Sequence, residues 1–184
     1  MVPAFDYIGG RPVLDLVGTV ANRGTDDVER LGSWADVESW VRGSGLRIDD
    51  LSGGADDVAR VRNLRESLYS LISAALVGVR PPEHDRQEVN AAAARPGPRP
   101  ELAETGAVRW TGGLDAVLAA LAQDALDLVG SPDLGEVRRC ADGRCTRLFV
   151  DRSRGARRRW CGMKGCGDRA KAAAYRRRHR VGTT

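Results

Sequence analysis

Four cysteines in the last 45 residues constrain this chain more than any other feature. Their spacing is Cys140-x4-Cys145-x15-Cys161-x4-Cys166. Two close pairs separated by a longer loop allow four sulfurs to converge tetrahedrally on one ion, and gaps within such pairs are usually roughly two to four residues. The spacing therefore predicts a structural four-thiolate site for one Zn²⁺ per chain. Two paired disulfides are the alternative.

The cellular compartment bears on this choice. The first twenty residues contain no basic segment followed by an apolar one, and Pro3, Asp6 and Gly9-Gly10 interrupt them. No apolar run approaches the length that crosses a bilayer. We therefore expect a cytoplasmic protein without a membrane partner, in which reduced cysteines bind metal.

Charge is distributed very unevenly along the chain. Residues 138–180 carry 16 Lys and Arg against three acidic residues, a net charge of +13, whereas the rest of the chain has a net charge of −9. Such asymmetry predicts a cationic module that binds nucleic acid or another anionic surface. A chain of 184 residues has room for one medium domain and a small appended module.

The periodicity of residues 1–132 predicts a helical front domain. One helix starts after Ser33 as N-cap and stops at Gly43, and the longest helix ends before Pro81-Pro82. The other predicted elements are helices over 56–77, 83–94 and 113–129 and a hairpin over 101–111. Their apolar faces can bury one core. We therefore expect a mainly α (α+β) fold with a self-sufficient front domain and a small β-hairpin.

The front domain shows no catalytic constellation. Its one histidine, His84, lies in a polar stretch, and there is no nucleophile elbow, P-loop or dinucleotide-binding motif. We therefore do not expect an enzyme. The polar residues Asp15, Thr19, Asn22 and Arg23 could line a pocket for a small-molecule ligand, or could equally cap a helix and hold a turn.

The cysteine-rich segment, residues 138–180, predicts its own local structure. A short strand is expected at 148–150, turning at 151–154, with residues 156–160 returning towards the metal and a helix over 168–180. The segment has too few apolar residues for a core of its own. Metal binding must then supply most of its folding free energy, of order 10–16 kcal/mol in small zinc peptides. A thiolate knuckle at Cys140–Cys145, a hairpin, and a helix whose first turn supplies the last ligands are expected in this order. This order matches a treble-clef finger.

The same residues resemble a known family. We find a resemblance to the CGNR zinc finger in two stretches, Cys140-x4-Cys145-x2-Leu-Phe-Val-Asp-Arg-Ser-Arg154 and Arg158-Arg-Trp-Cys161-x-Met163-x2-Cys166-Gly-Asp-Arg169-x-Lys171. That finger usually follows an ABATE domain, described as a stress-induced transcription regulator of bacteria. The front half is similar to that domain at Phe5, Gly9-Gly10, Leu14-Asp15 and Thr19.

The resemblance implies zinc binding and suggests DNA binding. Two positions depart from the family pattern. Asp168 replaces the Asn of the family's name, which keeps a helix-start acceptor but loses an amide donor, and Gly18 stands where the family often has Asn.

The basic residues of the finger are candidate nucleic-acid contacts. So many like charges in a small body repel one another and require an anion. Duplex DNA is the expected partner, because phosphates would position the finger and a few arginines could contact guanine edges. Few exposed aromatic residues are available to stack on single strands. The candidates are Arg152, Arg154, Arg157, Arg158, Arg159, Lys164, Arg169, Lys171, Arg176, Arg177 and Arg178.

Other interpretations stay open at this point. The cationic face could be a solvated surface, or it could be neutralised by the acidic front domain. The alternative functions are an RNA- or ribosome-associated zinc protein, an enzyme that uses the finger as a substrate clamp, and a thiol-based redox switch. The favoured hypothesis is a DNA-binding transcription regulator whose front domain senses a small molecule or forms a homodimer.

Overall fold

A computed structural model of the protein describes residues 5–180, so the first four residues of the predicted front domain lie outside it. The α-helices of this range are α1 Pro12–Val17, α2 Trp34–Gly43, α3 Ala55–Leu76, α4 Glu83–Ala93, α5 Gly113–Gly130 and α6 Asp168–Arg180, and a 3-10 helix spans Pro132–Glu136. The strands are β1 Val20–Ala21, β2 Val28–Glu29, β3 Arg99–Leu102, β4 Val108–Thr111, β5 Val137–Arg139 and β6 Leu148–Val150. They pair as three antiparallel hairpins, β1–β2, β3–β4 and β5–β6. The predicted fold class, mainly α with small hairpins, is confirmed.

Helix α2 begins where the sequence places its cap. The Ser33 hydroxyl accepts a hydrogen bond from the backbone N–H of Asp36 at 3.4 Å, and the Asp36 carboxylate accepts one from the backbone N–H of Ser33 at 2.8 Å. This reciprocal capping box satisfies two donors that the first turn leaves unpaired. The helices predicted over 56–77, 83–94 and 113–129 are confirmed with ends shifted by one residue at most. None of the helices within residues 5–180 has the length and apolar character needed to cross a membrane.

Helix α1 was not predicted. It has only six residues, too few to be stable alone, and it persists because it packs between α3 and α5. Pro12 fits its first turn, and the Asp124 carboxylate of α5 accepts a hydrogen bond from the Val13 N–H at 2.9 Å. Its apolar side chains Val13, Leu14, Leu16 and Val17 are buried.

The front domain and the finger share one hydrophobic core. Val137 of β5 and Leu148 and Val150 of β6 belong to the same buried cluster as the front helices. Phe149, on the opposite face of β6, packs against the cysteines instead. Alternate residues of a strand point to opposite faces, so a three-residue strand serves both clusters. The finger's hairpin therefore contributes to the core of the front helices, and the self-sufficiency of the front domain stays a prediction.

The hairpin of the finger differs from the predicted one. Strand β6 pairs with β5, which precedes the first cysteine pair, and Val137 lies opposite Val150. Residues 156–160 form no strand, although the Arg159 carbonyl accepts a hydrogen bond from the Ala141 N–H at 2.8 Å. The physical reason is the tight turn between Cys140 and Cys145, which brings the two flanking segments side by side.

Candidate metal centre and cationic surface

The sulfur atoms of the four cysteines lie close together. Their Sγ atoms all lie within 4.8 Å of one another, and Cys161 Sγ is 3.7 Å from the Sγ atoms of both Cys145 and Cys166. A disulfide would need a sulfur–sulfur distance of about 2.05 Å. Four thiolates bound tetrahedrally to Zn²⁺ at about 2.3 Å stand about 3.8 Å apart. All four cysteines are free, so their geometry fits zinc and not the disulfide alternative.

Two turns bring the sulfurs together. Cys140 directly follows β5, and Cys145 is held in the knuckle because its N–H donates to the Asp142 carbonyl at 2.8 Å. Cys161 and Cys166 flank a turn in which Gly165 has φ +93°, a backbone conformation that favours glycine. Cys166 lies just before α6, so the last ligand comes from this turn and not, as predicted, from the first helical turn.

The electrostatics of the cluster require a cation. Burial, followed by the charge of Cys145, raises the pKa of Cys166 to about 12. The hydrogen bond shared with Cys145, together with burial, raises the pKa of Cys161 far above that of an ordinary thiol. Four thiolates this close are therefore stable only around a positive ion. Zn²⁺ would supply that charge and fix the fold, with all four positions filled by sulfur.

Arg169 connects the last ligand to the knuckle. Its Nη2 donates to Cys166 Sγ at 3.0 Å and lies 2.8 Å from the Asp142 carboxylate. Hydrogen bonds to ligand atoms of this kind orient them and tune metal affinity. Arg169 therefore has a role within the metal centre besides the predicted nucleic-acid contact.

Arg158 is engaged inside the finger. Its guanidinium lies 4.3 Å from the centre of the Phe149 ring, and its Nε donates to the Trp160 carbonyl at 3.0 Å. Its Nη2 donates to the carbonyls of Ile8, at 3.0 Å, and Cys161. The structure thus places Arg158 as an internal clamp between the finger and the front domain, and its nucleic-acid contact stays a prediction.

Asp151 shapes the arginine-rich loop and was missed from the sequence. Its buried carboxylate accepts hydrogen bonds from the Ser153 hydroxyl at 2.6 Å, the Ser153 N–H at 3.0 Å and the Arg158 N–H at 2.9 Å. These bonds, led by the Ser153 hydroxyl, hold the pKa of Asp151 below its usual value. The Asp-x-Ser spacing is a signal for such a turn.

The other predicted cations are exposed. Arg152 lies 3.3 Å from the Asp133 carboxylate. The remaining ones have no ion-pair partner among residues 5–180; they are Arg154, Arg157, Arg159, Lys164, Lys171, Arg176, Arg177 and Arg178. Arg144, in the knuckle, is also exposed and was not among the predicted contacts. The finger therefore presents an uncompensated positive surface.

The predicted ligand-pocket residues have internal partners. Thr19 donates to the Leu16 carbonyl at 2.7 Å and accepts a hydrogen bond from the buried Arg65 at 3.0 Å. The Arg23 guanidinium pairs with Glu66. The Asn22 carbonyl accepts a hydrogen bond from the Thr25 N–H at 3.1 Å, and Asp15 accepts one from the Gly9 N–H at 2.7 Å. Each residue thus holds a turn or a helix end, and the ligand pocket stays a prediction.

Comparison with protein-family models gives two matches. Residues 10–132 match ABATE, described as "Putative stress-induced transcription regulator", and residues 136–179 match the CGNR zinc finger. No curated protein matches the chain. The second match spans all four cysteines, so both resemblances found in the sequence are confirmed.

Proposed function

Because the chain belongs to the ABATE family and ends in a CGNR zinc finger, we propose that it is a transcription regulator that binds duplex DNA through this finger. Zinc is structural: it holds the knuckle, β6 and α6 in one body and so displays the positive surface. The protein would act in the cytoplasm, where its DNA target and reduced thiols are found together.

The uncompensated charge of the finger is the observation that carries this proposal. Most front-domain arginines that form a described ion pair do so with a carboxylate of the same domain. Arg65, for example, pairs with Glu29 at 2.6 Å. Within residues 5–180, acidic residues outside the finger pair with only two finger arginines: Asp6 pairs with Arg147, and Asp133 with Arg152. These carboxylates neutralise Arg147 and Arg152 but not the exposed cations of α6. The cations of α6 need an external anion.

Helix α6 is well suited to approach duplex DNA. It packs chiefly against the turn Met163–Gly167, and the side chains of Lys171, Arg176, Arg177 and Arg178 are exposed. The major groove of B-form DNA admits an α-helix, and arginine is the commonest specific partner of guanine there. The major groove of double-stranded RNA is too narrow for this contact. DNA is therefore the proposed partner, and structured RNA is the alternative.

We propose a binding role and no catalysis. His84 has 86% of its side chain exposed, 3.7 Å from Glu88 on the helix surface. The His179 ring lies tilted against the Tyr175 ring, with centroids 4.2 Å apart, on exposed α6. Neither histidine sits in a cleft beside a nucleophile, as general acid–base chemistry requires. A small-molecule ligand of the front domain and a homodimer remain hypotheses.

The test is fluorescence anisotropy with a labelled mixed-sequence duplex over a range of salt concentrations. The logarithm of affinity should fall with the logarithm of salt by about 0.9 for each neutralised phosphate. Arg177→Ala should lower both the affinity and this slope, whereas Arg80→Ala, an exposed arginine of the front domain, should change neither. A flat salt response, equal losses in both variants, or tighter binding to an RNA hairpin would contradict the proposal.

A further inference from the structure

A groove runs between α6 and the zinc knuckle. Its main part has a volume of about 650 Å³, and a second hollow of about 320 Å³ adjoins it. The two hollows share Ala141, Trp160, Ala170, Ala173 and Arg176. The two hollows therefore form one continuous groove along the inner side of α6.

The floor of this groove is apolar and made of small side chains. Ala170, Ala173 and Ala174 lie on one face of α6, as the i, i+3, i+4 spacing requires. Ala141 and the indole of Trp160 complete the floor, and Trp160 packs against the cysteine cluster beneath. Larger residues on this face of α6 would fill the groove.

Both rims of the groove are cationic. Arg144, in the knuckle, and Arg159, in the loop before Cys161, stand on one side. Lys171, Arg176 and Arg177 stand on the helix side. The one carboxylate in its lining, that of Asp142, is already paired with Arg169 at 2.8 Å. The groove therefore offers an apolar base between two rows of positive charge.

We propose that the sugar–phosphate backbone of one strand of duplex DNA lies in this groove. The inference rests on the proposed DNA-binding function and assigns the contact to a particular surface. A DNA strand carries one phosphate per nucleotide, with a less polar deoxyribose between successive phosphates. The phosphates would pair with the two rims, and the sugars would cover the alanine floor. A free phosphate ion would use only the rims.

Filling the floor tests the groove without changing charge. Ala173→Leu places a larger apolar side chain in the groove, whereas Ala172→Leu, on the exposed face of the same helix, is the matched control. Both substitutions are nearly neutral for helix formation. With the full zinc-loaded chain and a labelled duplex, Ala173→Leu should weaken binding about tenfold or more, and Ala172→Leu should leave it unchanged.

A comparison of two arginine substitutions provides a second, independent measurement. Arg176 lines both hollows, and Arg178 lines neither. Arg176→Ala should therefore cost more affinity and lower the salt slope more than Arg178→Ala. Equal effects of these two substitutions would overturn the groove assignment even if Ala173→Leu proved to lose zinc.

The outcomes separate the groove from the function itself. If the wild-type chain does not bind duplex DNA, the proposed function fails. If it binds with a steep salt dependence, and Ala173→Leu binds as well as Ala172→Leu, only the groove assignment fails. A polyglutamate peptide that displaces DNA from the wild-type chain, and binds the Ala173→Leu variant poorly, would identify an acidic polypeptide as the occupant and overturn the assignment.

Discussion

The carboxylate of Asp15 accepts a hydrogen bond from the backbone N–H of Gly9 at 2.7 Å. This bond holds a loop whose carbonyls face the finger. The Ile8 carbonyl accepts a hydrogen bond from Arg158 at 3.0 Å, and the Gly9 carbonyl accepts one from the Val150 N–H at 2.8 Å. One side chain of α1 therefore organises the junction between the front domain and the zinc finger.

Asp15 should give this junction a measurable pH dependence. Burial raises its pKa from 3.8 to about 6, despite the hydrogen bonds from Gly9 and Ile8. Since the folded pKa lies above the unfolded one, the native state binds more protons between these values, and stability falls as pH rises through about 6. Asp15→Asn stays uncharged. Its melting temperature relative to wild type should therefore increase between about pH 5 and pH 7.5 in calorimetry.

Zinc release at the lower pH affects both proteins, so the difference between them isolates Asp15. Glu104→Gln, at the exposed turn between β3 and β4, serves as a control whose difference from wild type should not vary with pH. A constant difference for Asp15→Asn as well would show that its ionisation does not contribute to stability.

The parts of the fold that depend on local chemistry could be predicted from the sequence. The Ser33 cap, the long apolar rhythm of α3 and the breaks at Gly and Pro all act within a few residues, and the structure confirms them. The cysteine spacing likewise indicates zinc because tetrahedral coordination needs little more than two tight turns.

Features that depend on distant partners could not be predicted. Helix α1 is stable only because α3 and α5 cover it. Leu148 and Val150 alternate with Phe149 as a strand requires, but the pattern does not say that the front helices cover one face and the cysteines the other.

Loss of a zinc ligand should destabilise the whole protein and not the finger alone. Cys166→Ser removes one of four thiolates, and the hairpin that carries Val137 and Leu148 then loses its support. Since both residues belong to the front core, the helical signal in circular dichroism should melt at a lower temperature. Leu148→Ala tests the same link directly and should cost about 2–5 kcal/mol.

Zinc content is followed in parallel with a chromophoric chelator. The Leu148→Ala variant should retain one zinc per chain at low temperature, whereas Cys166→Ser should not. An unchanged helical melting transition after zinc removal would show that the stability of the front domain does not depend on the folded finger.

Arg169 should slow the release of zinc. Its hydrogen bond to Cys166 Sγ and its ion pair with Asp142 tie the last ligand to the knuckle. Arg169→Ala should lower zinc affinity about ten- to hundredfold, the usual effect of losing a group that orients a metal ligand, and should therefore speed zinc transfer to a chelator. Lys171→Ala, an exposed cation on the same helix, is the control. Similar rates in all three proteins would remove Arg169 from the metal centre.

Arg157 and Arg158 are adjacent in the sequence but should respond differently to substitution. Arg158 donates to three carbonyls and lies over Phe149, whereas the Arg157 side chain is exposed. Arg158→Ala leaves carbonyls without donors at the junction and should cost about 2 kcal/mol or more. Arg157→Ala should change stability by less than about 0.5 kcal/mol while weakening DNA binding. Urea denaturation of the zinc-loaded proteins measures the first effect and anisotropy the second. Equal unfolding free energies would mean that the internal clamp does not stabilise the protein, because the two substitutions remove the same charge.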